Sequence, residues 1–475
     1  MAVARCLRGI SMINIHPTGA QEREINRTVT AIRDGGGALL AWEPGCGKTY
    51  GAIWVTQKLN AARRVIVVCP KRVIPSWQAS IKTITGREAK VLSRATKAGR
   101  ANIEDMLGGA DGWWVINFKL LVSLGKAVET GKWPAVSFSR KSFDMVIVDE
   151  VHRIANHHTQ SFRAVKALKS KYRLGLSGTP AGNKPVNIYG VLKFLNPDSV
   201  DRSFYRFADE FFVSELNPFA VSPYARIYGG ERNPGALRDS VGDVWSAMQG
   251  SEVFGDLPPV NVQRITCGMR REQKRMYREF VDYRLAIMDG GASVASSAAV
   301  LDGRLRQITL GPLRIVDDNI EFEERGSSKI DATLDVLSDL PSNEKVILWC
   351  HSRKFMTPLR KRLADAGYRS VELSSDYHDE WRQFLEPDGP RVLCAVIAAA
   401  AEGIDGLQNV CNTEIWLSED NSVILNLQAS ARLNRKGQTK RVNRFLLQCE
   451  GTVDVTAVEP RLAAGYERLR ESSLI

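Results

Sequence analysis

The 475-residue sequence has eight cysteines, at positions 6, 46, 69, 267, 350, 394, 411 and 449, but no Cys-x-x-Cys pair. Their scatter excludes a sequence-encoded zinc ribbon and a disulfide framework; those inside apolar runs read as small reduced hydrophobes. No apolar run approaches bilayer thickness, the longest, Val392–Ala401, being short and rich in Ala. Met1–His16 carries Arg5 and Arg8 but lacks the apolar stretch of a secretory signal. The expected location is cytoplasmic: host cytoplasm for a viral chain, nuclear for a eukaryotic one. Repeats of solenoid length and low-complexity segments are missing too. Histidine is scarce, and His152, His157 and His158 have neither a nearby Cys nor a zinc spacing, so they are not read as a metal centre. Acid is missing locally: Asn421–Cys449 holds no Asp or Glu, while Arg432, Arg435, Lys436, Lys440, Arg441 and Arg444 all occur.

What is present is the balance of a globular protein, 44% hydrophobic and 25% charged, long enough for two or three domains. Lys plus Arg exceed Asp plus Glu by 65 to 53, a net charge of +12 that hints at a polyanionic partner. Lys440–Arg444 reads equally well as a solvated helix face or as a DNA contact. Short apolar runs recur, at Ala38–Trp42, Val65–Cys69, Trp113–Ile116, Met145–Val148 and Arg173–Leu176, then Val346–Cys350, Val392–Ile397 and Ile415–Leu417. Amphipathic stretches such as Tyr50–Leu59, Ser161–Lys169 and Met356–Ala366 separate them. This alternation predicts an α/β fold of two lobes, each a mostly parallel sheet covered by helices. A mostly helical insertion is expected between the lobe cores. The expected borders are 1–270 for the first lobe, with a helical protrusion at about 197–256, then a helical linker over 271–327 and a second lobe over 328–475.

Glu43-Pro44-Gly45-Cys46-Gly47-Lys48-Thr49 follows one predicted strand and opens a helix. Gly45, Cys46 and Gly47 let successive backbone N–H groups curl around phosphate oxygens, and the helix N-terminus adds favourable partial charge. Lys48 reaches β- and γ-phosphates in such a loop, and the Thr49 hydroxyl ligates Mg2+. Trp42 stands where the full consensus has Gly, so only the second half of the pattern is kept. Gly-Lys-Thr after a turn is common; flanked by strand and helix it is not.

About a hundred residues on, the apolar strand Met145–Val148 ends in Asp149-Glu150-Val151-His152. Carboxylates at the carboxyl end of a buried parallel strand face the ligand crevice of an open α/β sheet. Asp149 is expected to hold the metal, and Glu150 to orient or deprotonate the water that attacks the γ-phosphate.

These residues carry a resemblance. Asp149-Glu150-Val151-His152 is similar to the DExH box of superfamily-two helicases, and Ser177-Gly178-Thr179-Pro180 to their third motif. Val67-Val68-Cys69-Pro70 with Trp77, Leu257-Pro258-Pro259 with Gln273 and Tyr277, and Ser328-Lys329 resemble the Swi/Snf-type ATPases within that superfamily. So does Gln428-Ala429-Ser430-Ala431-Arg432-Leu433-Asn434-Arg435-Lys436-Gly437-Gln438, which is similar to their sixth motif. The matches run in order from about Gln21 to Gln438, in a compact form like phage and bacterial members.

The resemblance implies RecA-like lobes and an ATP-dependent DNA translocase or helicase, using ATP and Mg2+ on duplex or branched DNA. Gln21 falls where an adenine-reading Gln lies, although Pro17-Thr18-Gly19-Ala20 departs from the usual spacing. Arg432 and Arg435 take the place of arginine fingers on the γ-phosphate. Glu402-Gly403-Ile404-Asp405 resembles the fifth motif, which puts Gly403 and Asp405 near nucleotide. Ser177, Thr179 and Gln428 take coupling positions, and Lys71, Arg72, Asn117, Ser352 and Arg353 nucleic-acid positions. As bare residues, Arg432 and Arg435 also fit a basic helix face, and Lys71 and Arg72 ordinary loop charges. An RNA helicase and a non-motor ATP-binding switch are the competing readings. Ser177-Gly178-Thr179 in place of Ser-Ala-Thr speaks against the first, the paired arginines against the second.

Overall fold

The computed structural model describes residues 16–129, 143–182, 184–198, 200, 203–216, 225–254, 257–289, 295–316, 319–377, 379–400 and 404–471. Glu402 and Gly403 lie outside them. The chain divides into two compact units, one formed by the chain up to Glu215 with Tyr228–Gly255, the other chiefly by Asp256–Arg468.

In the first unit the strands are β1 (Gly37–Trp42), β2 (Arg64–Cys69), β3 (Ala89–Val91), β4 (Gly112–Asn117), β5 (Phe143–Asp149) and β6 (Ser170–Leu176). A separate ribbon pairs β7 (Phe212–Leu216) with β8 (Arg226–Glu231), and β9 (Trp245–Met248) returns to the main sheet. That sheet has seven parallel strands in the order β3-β4-β2-β5-β6-β1-β9. Its middle strands are covered on both faces, which is why β2 and the Met145–Val148 part of β5 read as unbroken apolar runs.

The second unit holds β10 (Val260–Thr266), the hairpin β11 (Leu313–Val316) and β12 (Asn319–Phe322), then β13 (Val346–Cys350), β14 (Ser370–Leu373), β15 (Val392–Val396), β16 (Thr413–Trp416) and β17 (Val442–Gln448). Six of these form a parallel sheet in the order β10-β17-β16-β13-β15-β14. The two-residue period of β13 sends Val346, Leu348 and Cys350 into one core and Ile347 and Trp349 into the other. The expected pair of parallel α/β lobes is present, and the helices Lys48–Lys58, Gln160–Lys166 and Met356–Asp365 fall where periodicity placed them.

The borders differ from expectation. β10 pairs with β17 along its whole length, so the second unit begins before residue 270. The 197–256 stretch is not simply helical: it adds β9 to the first sheet beside β1. The helices Arg271–Asp289 and Ala295–Leu310 are no free linker, because Tyr277, Leu305, Ile308 and Leu310 share a core with Leu348 and Leu447. Lys440–Arg444 is no helix face either, since β17 starts at Val442. Among the described residues no helix is long and apolar enough to cross a membrane.

Candidate functional site

Three sequence motifs leave the carboxyl ends of neighbouring strands. The glycine loop follows β1, Ser177-Gly178-Thr179 follows β6, and Asp149-Glu150 ends β5, which lies on the far side of β6. This is the edge where open α/β sheets place ligands.

The loop's shape is set by Gly45 and Gly47, at φ 92° and 80°. A Cβ on Gly47 would come within 2.8 Å of the Gln21 side-chain nitrogen, so the turn and the close approach both require glycine. Gln21 Nε2 donates to the Cys46 carbonyl at 2.9 Å, and its Oε1 accepts from Thr18 N at 2.9 Å. Gln21 thus buckles the helix Gly19–Gly35 to the loop. Lys48 Nζ donates to the carbonyls of Trp42 (2.8 Å) and Glu43 (3.1 Å), which keeps the ammonium at the loop. Strand β9 braces the other side: Glu43 N donates to Met248 O, Gly250 N donates to the Glu43 carboxylate at 2.7 Å, and the Trp42 indole donates to Ser246 Oγ. Cys46 is buried and its thiol is pushed up to about 11, chiefly by burial, so it is not the reactive group of the loop.

Asp149 is held from two sides. Its Oδ1 accepts from Glu150 N at 3.0 Å and its Oδ2 from the Trp77 indole at 2.8 Å. Burial, then the adjacent Glu150 charge, pushes its pKa up to about 6; the Trp77 hydrogen bond and the Lys48 charge work the other way. Glu150 has φ 52° and ψ 54°, a left-handed conformation unusual for a residue with a Cβ and a mark of strain held by its surroundings. Its carboxylate meets His152 Nδ1 at 3.2 Å, and the same ring nitrogen lies 3.3 Å from Ser177 Oγ. Ser177 Oγ accepts from Thr179 N at 3.1 Å, while the buried Thr179 hydroxyl has no hydrogen-bond partner among the described residues. A Cβ on Gly178 would touch Pro44 Cδ at 3.1 Å, so the third motif lies against the glycine loop. His157 belongs elsewhere, packed edge-on to Tyr189 at 5.1 Å between ring centres.

The donor set fits a nucleoside triphosphate with a hard divalent cation: an N–H-rich glycine turn, a lysine, a threonine hydroxyl and a half-buried carboxylate. Thr49 and Asp149 are the oxygen ligands such a cation would take.

In the second unit, the helix Val423–Ser430 carries Gln428 and ends before the arginines. Arg432 and Arg435 sit in the turns that follow and do not form a helix face. Arg432 donates to the Ile404 carbonyl at 2.8 Å, and Arg435, half-buried, pairs with exposed Asp405 at 3.3 Å. The fifth and sixth motifs therefore meet within that unit. Gln438 is buried and donates to the Cys411 carbonyl at 2.9 Å, a structural role. Arg444 turns inward, its guanidinium on the buried Glu414 carboxylate and on Ser430 Oγ, which removes it from the candidate DNA contacts.

Of the other nucleic-acid candidates, exposed Lys71 and half-buried Arg72 form the turn after β2. Asn117 closes neighbouring β4, its side chain accepting from Leu120 N at 3.0 Å as a helix cap. Ser352 is buried, and Arg353 pairs with Asp376 at 2.7 Å. Sequence reasoning missed Trp77 as a member of the acidic site and β9 as the loop's brace; both lie too far along the chain for local pattern to reveal.

A glycine loop between a parallel strand and a helix, with an acidic pair two strands away, defines the P-loop class of α/β proteins. A model of the SNF2-related domain matches residues 20–312, and the chain belongs to that family. It is 23% identical over 450 residues to an uncharacterized ATP-dependent helicase of Mycoplasma genitalium, covering 91% of this chain and 40% of that one. It is 22% identical to the ISWI chromatin-remodeling complex ATPase CHR17 of Arabidopsis thaliana, covering 95% and 41%. With the DNA repair and recombination protein RAD54 of Oryza sativa it shares 26% identity over 313 residues, 63% and 31% of the two chains. The chain spans about two fifths of the length of the first of these curated relatives. Among solved structures, the Sulfolobus solfataricus SWI2/SNF2 ATPase core in complex with dsDNA is 20% identical, covers 98% of this chain and 93% of its own, and scores a TM of 0.43.

Proposed function

We propose that this protein is an ATP-driven DNA translocase of the helicase type. The observation that carries the reading is the convergence of Lys48, Asp149-Glu150 and Ser177-Thr179 on one edge of one parallel sheet, joined by the Glu150–His152–Ser177 contacts. The glycine turn and Lys48 bind the phosphates, and Gln21 fixes the turn or, released from Cys46, reads the base. Bound Mg2+ supplies charge neutralisation and geometry at the phosphates. Thr49 and Asp149 hold it, while Glu150, kept in place by its left-handed backbone and by His152, orients the attacking water. His152 and Ser177 pass the state of that site to the loop after β6. By their place in the sixth motif, Arg432 and Arg435 supply positive charge to the transferring phosphoryl group. Asp405 and Gly403 flank them in the fifth.

Grip on nucleic acid is proposed for Lys71, Arg72, Asn117, Ser352 and Arg353, directed at phosphates and blind to sequence. Family membership and a recombination protein among the relatives favour DNA over RNA. The test compares ATP turnover with duplex DNA, single-stranded DNA and RNA of equal length. Stimulation by DNA is expected; stimulation by RNA alone overturns the proposal.

A further inference from the structure

We infer that Trp77 is a positioning residue for the metal-holding carboxylate of Asp149; the inference rests on the ATPase reading above. Strand β2 lies beside β5, with Val68 level with Val148, so the chain leaving β2 passes directly over the end of β5. It turns through Lys71–Val73 and enters the helix Ile74–Thr85, whose fourth residue is Trp77. The indole is 1% exposed and belongs to the first unit's core, with only its N–H directed at Asp149 Oδ2, 2.8 Å away.

The contact is not explained by the indole's own need for a partner. The buried indole nitrogens of Trp113, Trp114, Trp245 and Trp416 have none among the described residues, so this molecule tolerates unpaired buried indoles. The group that gains is the carboxylate. Each of its oxygens accepts one hydrogen bond, Oδ2 from Trp77 and Oδ1 from Glu150 N, and the left-handed turn at Glu150 aims that second donor. Two donors from opposite sides fix the carboxylate plane and leave further lone pairs for a cation. An indole suits the task because it donates, carries no charge to compete with the metal, and does not titrate.

The test is nucleotide binding by calorimetry, with ADP as the probe, at stepped Mg2+ concentrations. It compares the wild type, Trp77→Phe, Asp149→Asn and the double variant. Trp77→Phe is expected to raise the Mg2+ concentration needed for tight ADP binding about tenfold, the lower end for loss of a metal ligand's partner. ADP binding without Mg2+ stays unchanged. In the Asp149→Asn background Trp77→Phe adds nothing, because its target is gone. An unchanged Mg2+ requirement in Trp77→Phe, or an equal loss with and without Mg2+, overturns the inference and leaves the ATPase reading standing. Wild-type ADP binding that ignores Mg2+ overturns that reading and this one with it. If Trp77→Phe does not fold, benzothienylalanine at position 77 replaces it, with sulfur in place of the N–H and both rings kept. A tenfold higher Mg2+ requirement in that variant supports the inference, and an unchanged one overturns it.

Discussion

Lys329→Met probes how the second unit is held together. Lys329 is fully buried and donates to Leu417 O and to Asp454, both at 2.7 Å. Burial pulls its pKa down, but the charge and hydrogen bond of Asp454, with Cys449 and Cys267 beside it, together outweigh that, so Lys329 titrates above an ordinary lysine. Its contribution is therefore complete at neutral pH and is lost only as pH rises through that elevated value. Methionine keeps the volume but strands the Asp454 carboxylate, whose side chain is 11% exposed. Breaking a buried pair from one side costs about 3–5 kcal/mol. Asp454 keeps Thr309 Oγ1 at 3.0 Å and Cys449 N at 3.1 Å, which favours the lower end. A loss of about 3 kcal/mol lowers the melting temperature of a unit this size by roughly 6–12 °C. Urea unfolding followed by tryptophan fluorescence reads it. The double variant Lys329→Met/Asp454→Asn, which removes the stranded charge, recovers about half of the loss. A single-variant loss below about 1 kcal/mol, or a double variant no better than the single, shows that the pair does not hold this core.

Lys48→Ala and Glu150→Gln abolish ATP turnover, whereas Arg435→Ala keeps ATP binding and lowers the hydrolysis rate by at least about a hundredfold, on the order expected for an arginine finger; an unchanged rate in Arg435→Ala removes the sixth motif from the chemistry. Arg444→Lys retains a charge for Glu414 but loses the fork that also holds Ser430, so it and Ser430→Ala lower stability by similar amounts, about 1 kcal/mol each, and are not additive in thermal melts. His351 accepts or donates with Ser418 Oγ at 2.7 Å, and burial, then the charges of Arg306 and Lys329, push its pKa down to about 3. The unfolded chain therefore binds a proton the folded one refuses, and stability falls as pH drops below the ordinary histidine range; thermal melts between about pH 7.5 and 5 show a slope that His351→Asn flattens.

The buried strands were legible because both faces are covered: β2 and β13 are runs of mostly Val, Ile, Leu and Cys with nothing to alternate. β10 and β17 were not, since β10 is an edge strand with mostly exposed residues, and Asn443 and Arg444 break the apolar run of its neighbour. The site was legible wherever a few consecutive residues do one job, as in Gly45–Thr49 and Asp149-Glu150. It was illegible where the sheet brings distant residues together. Trp77 reaches Asp149 across 72 positions, and nothing near Lys329 announces Asp454. The acid-free stretch marked cations correctly but not their direction: Arg444 faces a buried glutamate that lies outside the stretch.

Movement along DNA is read by displacement of a third strand from a duplex. A triplex placed downstream of a duplex track is released in the presence of ATP by wild-type protein and not by Lys48→Ala, and a non-hydrolysable ATP analogue does not substitute. Release that persists in Lys48→Ala, or ATP hydrolysis stimulated by DNA with no release and no unwinding of a fork, contradicts the assignment of a DNA motor.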